Sequence, residues 1–307
     1  MKVYRDLEKI KFEKGTVLTT GTFDGVHFGH QKVLGSLTSS AKKSGLESVL
    51  LTFDPHPRIV LEQDTDLKLL STLNEKLTLL EGFGIDHVVV IPFTKEFSRL
   101  SSIDFVRQLL VGKLNTKKLI LGYDHHFGRN REGSFEHLLE FGPLYGFEVE
   151  EIPVQDVDNV NVSSTKIRTA IKEGEVAYAA ELMGHLYELS GKVVNGNKIG
   201  AGLGFPTANV AVENPYKLLP KNGVYFVQVV VGNEKHFGML NIGFRPTFEQ
   251  EMKQTIEVHL FDFDEDLYGK QITLLFKEHI RNEISFENTV ALISQLQADE
   301  LICRKLV

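Results

Sequence analysis

The apolar pattern of this 307-residue chain changes once, and that change limits its architecture. Up to Met183, short apolar runs alternate with stretches of helical spacing. Strands are expected at 15–20, 48–53, 87–92, 118–122 and 146–152, and helices at 31–44, 74–83, 102–114 and 134–145. Strand and helix in alternation imply βαβ units and a doubly wound parallel sheet, an α/β architecture. Past Gly184, strand patterns follow one another at 190–195, 224–231 and 255–263, and again at 271–277. Gly232-Asn233 reads as a hairpin turn, with a strand resuming at His236. Such a run closes most simply as an antiparallel β-barrel. A terminal helix is expected from Ser285 as N-cap, burying Val290, Ile293 and Leu296. The chain therefore reads as two domains, 1–183 and 184–307, joined by a short hinge at 183–189, each long enough for its own core.

Net charge is −7 with no long basic run, so the footprint of a nucleic-acid binder is missing. One cysteine, Cys303, excludes an internal disulfide and a cysteine-rich metal site. No apolar stretch is long enough to span a bilayer, and the first residues lack an apolar signal region. The expectation is a cytoplasmic protein with small-molecule substrates, monomeric or weakly homo-oligomeric, binding neither nucleic acid nor membrane.

The string Gly21-Thr22-Phe23-Asp24-Gly25-Val26-His27-Phe28-Gly29-His30 follows the first expected strand and opens a helix. A helix N-terminus offers free N–H groups and a positive dipole end to phosphate. Gly21, Gly25 and Gly29 let the backbone turn and approach a ligand closely. His27 and His30 can donate to phosphate oxygens and stabilise charge on a leaving pyrophosphate. The bland reading is a glycine-rich turn with two surface histidines.

Three more strings stand where they can serve the same chemistry. Phe53-Asp54-Pro55-His56-Pro57 closes a strand, and on its own reads as a turn capped by Asp54. Gly122-Tyr123-Asp124-His125-His126-Phe127-Gly128 runs on to Arg129 and Arg131. There Asp124 can accept from the hydroxyl or N–H groups of a ligand, and the arginines can pair with phosphate. Adjacent histidines seldom face one metal ion, so His125-His126 is not read as a metal site. Ser163-Ser164-Thr165-Lys166-Ile167-Arg168 opens a helix, and its hydroxyls either cap that helix or, with Arg168, hold a phosphate.

In the second half, loops holding Gly196, Lys198, Gly204 and Pro206 suit a backbone that wraps phosphates. Thr207 and Asn209 are two apart, so on an extended segment they face one way and present hard oxygen ligands suited to Mg²⁺ with ATP. Glu257 alternates with Ile256 and Val258 and shares a face with His259, Phe261 and Phe263.

The first string resembles the His-x-Gly-His element of nucleotidylyltransferases. In its longer form it is similar to the prokaryotic bifunctional riboflavin kinase/FMN adenylyltransferase, or FAD synthetase, family. The Gly204-Phe205-Pro206-Thr207-Ala208-Asn209-Val210 string resembles that family's riboflavin kinase signature. The resemblance spans nearly the whole chain. It implies catalytic roles for His27 and His30 in adenylyl transfer and for Glu257 as kinase general base. Nucleotide contacts are implied at Gly21, Phe23, Asp24, Gly25, Gly29, Asp54, Asp124 and Arg129. Further ones fall at Ser164, Thr165 and Arg168 in the first domain, and at Gly196, Lys198, Gly204 and Pro206 in the second. It implies metal ligands at Thr207 and Asn209, and flavin contacts at Arg281 and Phe286. The implied reactions make FMN from riboflavin and ATP, then FAD and pyrophosphate from FMN and ATP, with Mg²⁺. The chain departs from the family at His125-His126, usually an aromatic-basic pair, and at Ala201, often basic. Those departures leave open a single-activity adenylyltransferase with a flavin-sensing second domain. A cytidylyl- or pantetheine-type transferase is opposed by the Gly-Phe-Pro-Thr-Ala-Asn string, and a non-enzymatic flavin-binding regulator by the intact His27, His30 and Glu257.

Overall fold

A computed structural model describes residues 1–62, 66–122, 127–129, 133–152, 162–196, 199–246 and 252–307. The chain divides into two compact units, Met1–Leu67 with Leu73–Ser163, and Lys68–Thr72 with Ser164–Val307.

The first unit is a six-stranded sheet of β1 (Lys2–Tyr4), β2 (Thr16–Thr20), β3 (Glu47–Asp54), β4 (His87–Pro92), β5 (Thr116–Gly122) and β6 (Glu148–Ile152). The spatial order is β1-β4-β3-β2-β5-β6 and every pairing is parallel. Each inner strand is apolar on both faces, as a sheet covered on both sides requires. Leu18, Val49, Leu51, Val89, Leu119 and Leu121 pack into one core layer. Val17, Leu50, Val88, Val90 and Ile120 pack into the other, beneath α1 (Phe28–Ser44) and α3 (Leu73–Glu81). Chain order runs from β2 outward through β3 and β4, then returns to β5 on the other side of β2. The reversal at β2 is the topological switch point, where open α/β sheets bind ligands beyond the carboxyl ends of the strands.

Four further helices belong to this unit's sequence: α2 (Pro57–Val60), α4 (Ser102–Asp104), a π-helical run Phe105–Lys113 that continues it, and α5 (Phe135–Tyr145). The expected helix at 102–114 is thus mostly π-helical. The three-residue β1 was not read from the sequence.

In the second unit, β7 (Tyr187–Val194), β8 (Ala208–Ala211), β9 (Gly223–Val231), β10 (Glu234–Pro246), β11 (Met252–Leu260) and β12 (Gln271–Arg281) close a barrel in the order β10-β11-β8-β7-β12-β9. All pairings are antiparallel. Gly232 (φ 60°) and Asn233 make the two-residue turn between β9 and β10. Tyr187, Leu189, Tyr225, Val227, Val229, Leu240, Ile242, Val258, Leu274 and Phe276 are all buried and fill one face of the strands. The helices α6 (Ser164–Glu173) and α7 (Val176–Met183) group with the barrel, as does the four-residue α8 (Ile199–Gly202).

Two features of the last helix differ from expectation. α9 spans Thr289–Arg304, and Asn288, not Ser285, caps it, its side chain accepting from the Ala291 N–H at 2.9 Å. Val290 is 73% exposed, while Leu296 packs against a cluster of Phe205, Phe226, Met239, Phe261 and Cys303. Burial raises the Cys303 thiol pKa to about 12, with Asp299 and Glu300 adding to the effect.

Candidate active sites

The turn after β2 is built under strain. Phe23 (φ 47°) and Val26 (φ 39°) adopt left-handed backbone conformations rare for such residues, with Gly25 at φ 80° between them. This contortion buries Asp24 (2% exposed), Val26 and His27 and delivers the chain to α1 with His27 as N-cap. His27 caps without a side-chain hydrogen bond, so its imidazole is not spent on the helix end. One turn along, His30 lies against it, the ring centroids 3.7 Å apart and the planes 16° from parallel. Phe23 packs on the far side of His30 at 4.8 Å. Gly29 lets the stack sit close, since a Cβ there would come within 3.2 Å of the His27 ring and press it aside by a few tenths of an ångström.

Burial holds the His30 imidazole well below the ordinary histidine pKa, and the charges of His27 and Lys76 push it further the same way. His30 is therefore neutral at pH 7, with one N–H to give and one lone pair.

Lys76 was not legible as a site residue. It lies on α3, 6% exposed, and its Nζ donates to the Thr22 carbonyl at 2.7 Å and to Thr52 Oγ1 at 3.4 Å. Burial lowers its pKa, while Asp24 and Asp54 pull it back up. Helical spacing alone marks a lysine between apolar positions as solvent-facing, so no sequence signal separated it from its neighbours.

Lys76 and Thr52 thus tie the β2 turn to β3, with Asp54 at the exposed end of β3. Gly122 ends β5, 3.8 Å from Val33 of α1 by its would-be Cβ. Arg129 is exposed, its N–H donating to the Leu100 carbonyl. Asp124, His125, His126 and Arg131 lie outside the described residues. Ser164, Thr165 and Arg168 sit in the first two turns of α6, in the second unit, with Arg168 Nε donating to the Lys68 carbonyl at 2.7 Å.

The barrel carries its own polar cluster on the face opposite its filled interior. The register of β11 on β8 sets Glu257 opposite Asn209, and that of β10 on β11 sets Asn241 opposite Glu257. Thr207 Oγ1 donates to Glu257 Oε2 at 3.3 Å. A Cβ on Gly196 would fall 2.0 Å from Asn209 Nδ2, and one on Gly200 would fall 2.3 Å from the Phe205 carbonyl and 3.3 Å from Thr207 Oγ1. Glycines at both positions let the loop between β7 and β8 lie against the Thr207 and Asn209 side chains. Gly204 (φ 84°) turns the chain into Phe205-Pro206, and the His259 ring donates through Nδ1 to the Pro206 carbonyl at 2.8 Å. Lys198 lies outside the described residues. Arg281 is engaged: its Nε and Nη2 donate to Asp299, which is fully buried, at 2.7–3.0 Å. Its guanidinium lies 6.0 Å from the Phe286 ring.

No set of three or more His, Cys, Asp or Glu side chains able to hold a metal alone occurs among the described residues. The oxygens of Thr207, Asn209 and Glu257 suit a hard ion that takes few protein ligands and the phosphates of its nucleotide, the usual habit of Mg²⁺. No described helix is long and apolar enough to cross a membrane.

A glycine-rich turn with two stacked histidines at a sheet's switch point, on one chain with a barrel that sets a carboxylate beside Thr207 and Asn209, is the layout of a two-domain transferase. Family models agree, one for FAD synthetase matching residues 9–166 and one for riboflavin kinase matching 183–307. A bifunctional riboflavin kinase/FMN adenylyltransferase of Escherichia coli (strain K12) is 38% identical over 308 residues, covering 99% of this chain and 97% of that protein. The like-named Listeria monocytogenes protein is 39% identical over 285 residues, 92% of this chain and 90% of its own. A crystal structure described as a macrolide-efflux protein from Streptococcus pneumoniae superposes with a TM-score of 0.88 at 30% identity, covering 98% of each chain. The chain belongs to the bifunctional riboflavin kinase/FMN adenylyltransferase family.

Proposed function

We propose that the two polar clusters divide a two-step synthesis between them, riboflavin to FMN on the barrel and FMN to FAD on the sheet. The chain is an ATP-dependent transferase of flavin synthesis. The observation that carries it is the pair of separate constellations, stacked His27 and His30 at the switch point and Thr207–Glu257 on the barrel, each fitted to one transfer.

On the barrel, Glu257 takes the proton of the ribityl 5′-hydroxyl as that oxygen bonds to the γ-phosphorus of ATP and the bond to ADP breaks. Thr207 directs its hydroxyl hydrogen to Glu257, which leaves its oxygen lone pairs for a cation. Thr207 and Asn209 would hold Mg²⁺, which supplies charge neutralisation for the ATP phosphates. Gly196, Gly204, Pro206 and Lys198 belong to the loop that would wrap them. Arg281, oriented by Asp299, and Phe286 are the flavin contacts of this reading.

On the sheet, an FMN phosphate oxygen bonds to the α-phosphorus of ATP while the bond to pyrophosphate breaks. No protein nucleophile is needed, so positioning and electrostatics supply the acceleration. His27 and His30 donate to the oxygens that gain charge, and N–H groups at the start of α1 add to the field. Gly21, Phe23, Asp24, Gly25, Gly29 and Asp54 shape the turn. Asp124 and Arg129 are read as further nucleotide contacts of the sheet, and Ser164, Thr165 and Arg168 as residues fitted to hold a phosphate.

The domain limits 1–183 and 184–307, a cytoplasmic location, and a monomeric or weakly homo-oligomeric state complete the proposal. Incubation with riboflavin and Mg-ATP, with FMN and FAD resolved chromatographically, tests it. Both products should accumulate, FMN first. FMN accumulating with no FAD, or FAD forming only from added FMN, would reduce the chain to one activity.

A further inference from the structure

We propose that Lys76 is a positioning residue of the adenylyl-transfer site, fixing the Gly21–His30 turn through the Thr22 carbonyl and setting an ammonium against His30. The inference rests on the reading of His30 as a donor to the transferred phosphate.

A lysine ammonium is costly to bury, and persists only where its hydrogens and charge are answered. Lys76 is answered on both counts by the site itself. Two of its three hydrogens go to Thr22 O and Thr52 Oγ1. The Thr52 hydroxyl also points at Thr22 O, at 3.3 Å. Two donors from different elements, α3 and β3, thus converge on one carbonyl, and that carbonyl immediately precedes the left-handed Phe23. A strained turn persists where its surroundings over-determine it, and this convergence supplies the constraint.

The charge has a second consequence. Asp24 from the turn and Asp54 from the end of β3 act on the ammonium, and the ammonium in turn acts on His30 of α1. Glu75, its neighbour on α3, is 4% exposed. The two aspartates favour the ammonium against the cost of burial, and the ammonium disfavours protonation of His30. A neutral His30 stacked on His27 avoids placing two cations 3.7 Å apart. It also keeps one ring nitrogen as a lone pair, so the ring donates to phosphate without becoming the proton's resting place.

The full chain bearing Lys76→Met tests this, with riboflavin phosphorylation on the barrel as an internal control for folding. Three results are expected together. FAD formation from FMN falls at least tenfold in kcat with little change in the FMN KM. The acid limb of its pH–rate profile moves to higher pH. The His30 ring, followed by NMR, titrates at higher pH by the same amount, while riboflavin phosphorylation is unchanged. Lys76→Arg keeps the charge and changes the geometry, so kcat should fall with the acid limb in place, and this variant decides the matter if Lys76→Met does not fold. An unmoved acid limb and His30 titration in Lys76→Met, or a moved limb in Lys76→Arg, overturns the proposal. His30→Ala tests the underlying reading separately: if FAD still forms at the wild-type rate, that reading fails whatever Lys76 does.

Discussion

His27 and His30 lie with their rings face to face, 3.7 Å between centroids, just beyond β2, where the strand order of the parallel sheet reverses. Stacking makes each ring part of the other's environment, so the pair acts as a unit. Losing one donor to a developing oxyanion typically costs about 10²–10³ in kcat. His30→Ala should therefore slow FAD formation from FMN by that order, and His27→Ala similarly. The double variant should cost much less than the product of the two. Steady-state rates of FAD and pyrophosphate production, with riboflavin phosphorylation unchanged, are the check.

Acid should weaken the first unit through the same pair. The folded chain holds His30 neutral well below the ordinary value of 6.5, whereas the unfolded chain takes up the proton near that value. As pH falls through 6.5 the unfolded state binds more protons, so stability is lost on acidification and is fully present above that pH. His279, also depressed by burial, acts with the same sign in the second unit. His30→Gln should melt with a smaller drop between pH 7.5 and 5.5 than the parent chain, measured by calorimetry. An equal drop in both would show that His30 is not the group concerned.

Much of this architecture was readable from residue pattern, because the covered sheet demands apolar strands and the barrel demands alternation. Ile256, Val258 and Leu260 are buried and Glu257 is not, as period two requires. What escaped was set by distant partners. β1 has three residues, Val3 is 40% exposed, and only pairing with β4 makes the segment a strand. Ser285 and Asn288 are both good caps, and the packing of α9 chose the later one. Lys76 and Asp299 look like surface charges on amphipathic helices. Their burial follows from the Thr22 carbonyl and from Arg281, which lie 54 and 18 residues away.

The loop between β7 and β8 makes the kinase site sensitive to a single methyl group. Gly196→Ala puts a Cβ where the Asn209 amide now lies, 2.0 Å away. Overpacking of this kind costs about 1–3 kcal/mol. If it falls on Asn209's hold on the metal-nucleotide complex, the Mg-ATP KM for FMN formation should rise by roughly tenfold to a hundredfold. FAD formation from added FMN should be untouched. Initial-rate kinetics at varied Mg-ATP with each flavin separate the two outcomes.

Asp299→Ala strips Arg281 of its carboxylate and Gln295 of the acceptor it reaches at 2.8 Å. Breaking a buried pair from one side costs about 3–5 kcal/mol, and the partly exposed Arg281 side chain places this case at the lower end. Denaturant unfolding of the second unit should show that loss. The riboflavin KM should rise as well, because Arg281 loses the group that orients it.

The separation of the two chemistries is tested most directly by Glu257→Gln, assayed once with riboflavin and once with FMN, each with Mg-ATP. The substitution keeps shape and removes only the proton acceptor. From riboflavin, FMN and FAD should both fall by at least about 10²-fold. From FMN, FAD should form at the unaltered rate. Retained FMN formation, or loss of FAD formation from FMN, would contradict the assignment of one step to each half of the chain.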